Sequence, residues 1–157
     1  GAQPQSRLTM DAAGNLYGTT SQDGRFCSYG PCGTVFELLA ATRKLKVLHS
    51  FCDGFDCRDG KAPTAGLTMD ASGNLYGTTT AGGGNDLDDQ NGGGVIYKID
   101  TAGKFSVLYR FCAKRNCTDG DGPAGELMLD AAGHLYGTTR AGGAHNQGVA
   151  FELLSRN

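Results

Sequence analysis

The chain has 157 residues, a formal net charge of -2 and a sequence pI near 5.9. That length suits one domain with a sizeable core, and the near-balanced charge excludes the basic field that nucleic acid or an anionic membrane surface needs. No apolar run approaches the ~18 residues of a membrane span, and the glycines, though abundant, lack the three-residue period of collagen.

The opening Gly1-Ala2-Gln3-Pro4 shows no signal-peptide pattern and reads as a mature or trimmed end. A first repeat follows. Strand A is Leu8-Thr9-Met10, the tight turn is Asp11-Ala12-Ala13-Gly14-Asn15, and strand B is Leu16-Tyr17-Gly18-Thr19-Thr20. Strand C is Thr34-Val35-Phe36-Glu37-Leu38 and strand D is Leu45 to Phe51. The second repeat restates this with Leu67-Thr68-Met69-Asp70, Leu75-Tyr76-Gly77-Thr78-Thr79, Val95 to Ile99 and Phe105 to Phe111. The third has Leu127 to Asp130, Leu135 to Thr139 and Val149 to Leu153, then reaches Asn157 without a strand D. Asp11 and Asp70 lie 59 positions apart, and Asp70 and Asp130 lie 60 apart. A fixed period with four short strand signals per unit predicts an all-β fold of four-stranded antiparallel β-propeller blades. The blades span about 7–52, 66–112 and, incomplete, 126–154 of one repeat domain.

The six cysteines fall as Cys27/Cys32, Cys52/Cys57 and Cys112/Cys117. Three local disulfides fit this spacing, and they imply an oxidising compartment, hence an extracellular or cell-surface protein. Zinc is the alternative. It needs two pairs to converge, and these pairs sit a whole repeat apart.

The run Pro63-x-x-Gly66-Leu67-x-x-Asp70-x-x-Gly73-Asn74-Leu75-Tyr76 resembles blades of NHL and SMP-30-like propellers. The tighter resemblance is to the secreted bacterial tandem repeat of the choice-of-anchor GloVer type. Its core is Leu-Tyr-Gly-Thr-Thr, a Gly-Gly loop, Gly-Thr-Val-Phe-x-Leu and a strand ending in Phe. The resemblance implies propeller architecture and a secreted or surface-anchored setting, and says little about activity. The third repeat departs from it at Gly148-Val149-Ala150.

Eleven strands are expected where three blades need twelve, and propellers close with about four to eight blades. The missing strand leaves an unpaired edge, which predicts self-association as a fibre, a surface layer or a closed ring. Alternating strand direction puts the long B–C and D–A loops, with all six cysteines, on one face, where a binding function would reside. Carboxylates there suggest a possible Ca²⁺ cofactor: Asp53, Asp56, Asp59, Asp119 and Asp121 in the D–A loops, and Asp86, Asp88 and Asp89 in the second B–C loop. The same residues also serve as plain turn formers. Asn116-Cys117-Thr118 matches the N-glycosylation pattern. Asp11, Asp70 and Asp130 recur at one turn position and read as structural, not catalytic. Tyr17, Tyr76 and Tyr136 read as inter-blade packing. His49, His134 and His145 have no ligand spacing, and no catalytic residue is assigned. The leading function is a non-enzymatic, self-assembling structural protein. The alternatives are a lectin-like glycan binder on the loop face and an SMP-30-like hydrolase.

Overall fold

The computed structural model describes residues 1–22, 32–52, 57–84 and 92–155. These form three antiparallel sheets, one per repeat. Blade 1 contains β1 (Thr9–Met10), β2 (Leu16–Thr20), β3 (Thr34–Leu38) and β4 (Leu45–Ser50), side by side in chain order. Blade 2 repeats the order with β5 (Thr68–Met69), β6 (Leu75–Thr78), β7 (Val95–Ile99) and β8 (Phe105–Arg110). A short strand, β9 (Asp121–Pro123), precedes blade 3, which contains β10 (Met128–Leu129), β11 (Leu135–Ala141) and β12 (Ala150–Leu153). The propeller-blade architecture expected from the repeat is what the chain adopts.

The expected count of eleven strands needs correction. Asp121 and Pro123 pair with Ala141 and Thr139, so β9 makes twelve. The same segment makes only single bridges in the earlier repeats, Ala2 to Gln22 and Lys61 to Ala81. β9 extends the β10 side of β11 and does not replace strand D. Among the described residues no strand pairs with the outer edge of β12.

Local chemistry explains the repeated elements. Asp11 Oδ1 accepts the backbone N–H groups of Ala13 and Asn15, both at 2.9 Å, while Gly14 supplies the left-handed residue at φ 83°. A carboxylate thus satisfies amides that a two-stranded turn would leave bare. Strand B carries glycine because strand C places a ring opposite it. Gly18 faces Phe36, and a Cβ there would come within 2.7 Å of the ring. Gly77 and Gly137 face Tyr97 and Phe151 in the same way.

The core lies between blades. Val35 and Phe51 of blade 1 pack on Leu67, Leu75, Val95, Tyr97 and Ile99 of blade 2, with Phe105 and Val107 closing the outer side. Ile96 and Phe111 of blade 2 pack on Leu127 and Leu135 of blade 3, joined by Phe151 and Leu153. Blade 2 therefore buries one face against blade 1 and the other against blade 3. At ~25 cal/mol per Å² of apolar area, stacking is the main favourable term such thin sheets have.

Candidate interaction surfaces

The repeated turn aspartates sit in closed hydrogen-bond clusters. Asp11 Oδ2 accepts from Asn15 Nδ2 at 2.8 Å and from the Tyr17 hydroxyl at 3.0 Å. Asp70 does the same with Asn74 and Tyr76. In blade 3 the hydroxyl of Tyr136 donates to Asp130 and to Glu152, and His134 takes the place of the Asn with Nδ1 3.2 Å from Asp130. The Asn15 side-chain bond holds the Asp11 carboxyl below its ordinary range against a smaller opposing effect of burial. For Asp70 burial is the larger influence and pushes upward, but the bonds from Asn74, Tyr76 and Ser72 together win and lower it. The Tyr76 phenol is pushed up to about 12, first by burial and then by the Asp70 bond. A carboxylate kept ionised and saturated with donors is a turn fastener, as the sequence suggested. Tyr17 and Tyr76 also pack against the two inter-blade cores.

The cysteine loops clamp neighbouring blades together. Cys52 is bonded to Cys57 and Cys112 to Cys117. Cys32 is disulfide-bonded as well, and its expected partner Cys27 lies outside the described residues. The Cys57 carbonyl accepts from Gly60 N at 2.9 Å and from Gly83 N, on the next blade, at 2.8 Å. Cys117 repeats this with Gly120 and Gly143. A Cβ at Gly82 would lie 2.8 Å from the Gly60 backbone, and one at Gly142 would strike the Cys117 carbonyl. The Gly-Gly runs exist so that the staple of one blade can reach the next. No spacing rule signals this in the sequence, because the partners belong to different repeats.

Two candidate calcium ligands are already engaged. Asp59 accepts from the Cys52 backbone N–H and lies 2.9 Å from His49 Nε2. Asp119 accepts from Tyr109, Ala113 and Lys114. Asp121 is in β9. Asp53, Asp56, Asp86, Asp88 and Asp89 lie outside the described residues. Among the described residues no three His, Cys, Asp or Glu side chains converge as a metal site. Asn116 is exposed, in a 3₁₀ turn at Arg115–Cys117 with φ 58°. His145 is exposed. No helix among the described residues is long and apolar enough to cross a membrane.

The two end faces of the blade stack differ from its interior. Met10, Leu45 and Val47 on blade 1 are 67%, 62% and 48% exposed, whereas their counterparts Met69, Phe105 and Val107 on blade 2 pack against blade 1. On blade 3, Met128 is 63% exposed. It stands where Thr9 and Thr68 send hydroxyl bonds across to the Leu67 and Leu127 carbonyls of the next blade. One position per blade beside strand A holds Arg7, Gly66 and Glu126, and Arg7 reaches past the glycine to within 3.7 Å of Glu126. Sequence reasoning missed this pair, since its members sit in different repeats and the blade between them has no side chain there.

The family model described as the Gloeobacter/Verrucomicrobia repeat matches residues 3–157. No curated protein matches the sequence. A crystal structure provisionally described as a gluconolactonase aligns with a TM-score of 0.57 at 14% identity, over 96% of this chain and 45% of that one. At that identity the likeness is one of fold, and the chain spans less than half of that structure's length.

Proposed function

Because the chain belongs to the Gloeobacter/Verrucomicrobia repeat family, we propose that it acts as a non-enzymatic extracellular assembly module that joins further blades of its own kind. The observation that carries this is the stacking of successive blades, whose cores are each built from residues of two neighbouring blades. The apolar end face of blade 1 supports the same reading, because the equivalent face of blade 2 is covered by a preceding blade. The interface is head-to-tail, so it generates a ring if the rotation closes and a filament if it does not. Disulfide staples support an oxidising, extracellular setting. Light scattering on purified chain across a wide concentration range tests the proposal, with electron microscopy to separate rings from filaments. The expected result is a species heavier than one chain that grows with concentration. Monomers alone at high concentration would refute it.

A further inference from the structure

The disulfides that follow β4 and β8 occupy equivalent places and are covered unequally. Cys52 and Cys57 are buried, 8% and 6% exposed, and pack with Cys32, which is itself disulfide-bonded. Cys112 and Cys117 are half-buried, and all four residues between them, Ala113 to Asn116, are exposed. One position distinguishes the two settings. The Cys32 carbonyl accepts the Ala62 amide at 2.8 Å, and the Gly93 carbonyl accepts the Gly122 amide at 2.9 Å, so Gly93 stands in blade 2 where Cys32 stands in blade 1. A Cβ at Gly93 would come within 2.8 Å of the Cys112 Cβ. The side chain that covers the first disulfide is thus absent over the second. Lys114 and Arg115 also put two cations inside the Cys112–Cys117 loop, and nearby cations favour both an attacking and a leaving thiolate.

We propose that Cys112–Cys117 is a thiol–disulfide exchange site whose substrate is a dithiol, and that its redox state sets how firmly blade 3 is held on blade 2. A thiolate of the dithiol attacks one Sγ, the Cys112–Cys117 bond breaks, and the other cysteine leaves as a thiolate. The second thiol then displaces the first cysteine from the mixed disulfide. The dithiol gives up two electrons and two protons and becomes a disulfide, and the two cysteines become thiols. The closed loop holds Cys112, Asn116 and Cys117 in the left-handed region, at φ 58°, 58° and 49°. L residues leave that region when nothing holds them there. The constraint aims the Cys117 carbonyl at two amides, Gly120 at 2.9 Å and, across the junction, Gly143 at 3.0 Å. Opening the ring frees these residues and withdraws the carbonyl from blade 3. The Cys57 carbonyl holds Gly60 and Gly83 in the same manner, behind a buried disulfide. The site does not depend on assembly.

Graded dithiothreitol on the intact chain tests the site, with alkylation and peptide mass spectrometry as the readout. Cys112 and Cys117 should be labelled at least about tenfold faster than Cys52 and Cys57. Equal rates, or Cys52 and Cys57 first, would overturn the proposal. A chain with Lys114→Glu and Arg115→Glu should be reduced about two- to fivefold more slowly, because the approaching thiolate is then repelled. An unchanged rate would overturn the role of the loop cations. Amide exchange read by NMR tests the consequence. After selective reduction, exchange at Gly120 and Gly143 should quicken at least about tenfold, while Gly60 and Gly83 keep their protection. A chain with Cys112→Ser and Cys117→Ser should show the same pattern without reductant. Unchanged exchange at Gly143 after selective reduction would overturn the coupling to blade 3. Equal loss of protection at all four glycines would overturn it as well, since the whole chain would then be opening.

Discussion

The junction between blades 1 and 2 and the junction between blades 2 and 3 have equivalent walls and different contents. At the first, Phe105 and Val107 close the outer side over Phe51 and Tyr97. At the second, Phe111 and Phe151 face a cavity, and Leu108 is 39% exposed. The walls belong to strand C and to the end of strand D of the preceding blade. The occupant belongs only to the following blade's own strand D.

The sharpest way to break this contrast is to empty the full junction. Phe105→Ala should cost about 3 kcal/mol, in the range for truncating a Phe in a core, and should be read by chemical denaturation. Tyr109→Ala, at the half-filled junction, should cost clearly less. Equal losses would mean that the second junction is packed as fully as the first. Replacing Cys52 and Cys57 together by Ser should cost about 2 kcal/mol from loop entropy. The loss should exceed that from the same change at Cys112 and Cys117, because the Cys52–Cys57 loop clamps two complete blades.

Two smaller effects refine the comparison. Asp70→Ala should cost about 1 to 2 kcal/mol by leaving the Ser72 and Asn74 amides without their acceptor. The lowered Asp70 pKa means its contribution is full above the ordinary carboxylate range and fades as pH falls through the folded value. Tyr76 and Tyr109 are raised from 10.0 to about 12, burial first and the carboxylate bond second. Their contribution is complete below pH 10 and is lost as pH rises toward 12. Denaturation midpoints across that alkaline window should fall, and an unchanged midpoint would contradict the raised values. His49→Tyr should be nearly neutral by thermal melting, because Tyr109 bonds to Asp119 as His49 bonds to Asp59.

The strand plan was legible because the strands are short and each strand A joins its strand B through an Asp-x-x-Gly turn. The turn role of Asp11, Asp70 and Asp130 was legible for the same reason: its partners lie two to six residues away. What escaped was everything that crosses a repeat boundary. The bond from Gly83 to Cys57, the pair of Arg7 with Glu126 and the stacking of Phe105 on His49 each join residues whose separation is set by blade stacking. One local feature escaped too. Asp100 forms the same turn between β7 and β8, accepting from Ala102 and Lys104, with Gly103 at φ 81°. It was missed because blade 1 makes that turn with Arg43 in the left-handed position instead.

Thr9 and Thr68 each tie their blade to the next, and Met128 holds that position in blade 3. The three repeats are consequently not interchangeable parts. Moving the third unit to the first or second place would replace a donor at a blade junction with a thioether and leave a facing carbonyl without it. A shuffled gene carrying the same three units in another order would encode the same composition and nearly the same core, yet a weaker stack. Order along the chain is therefore itself under physical constraint, and the threonine hydroxyl is what enforces it.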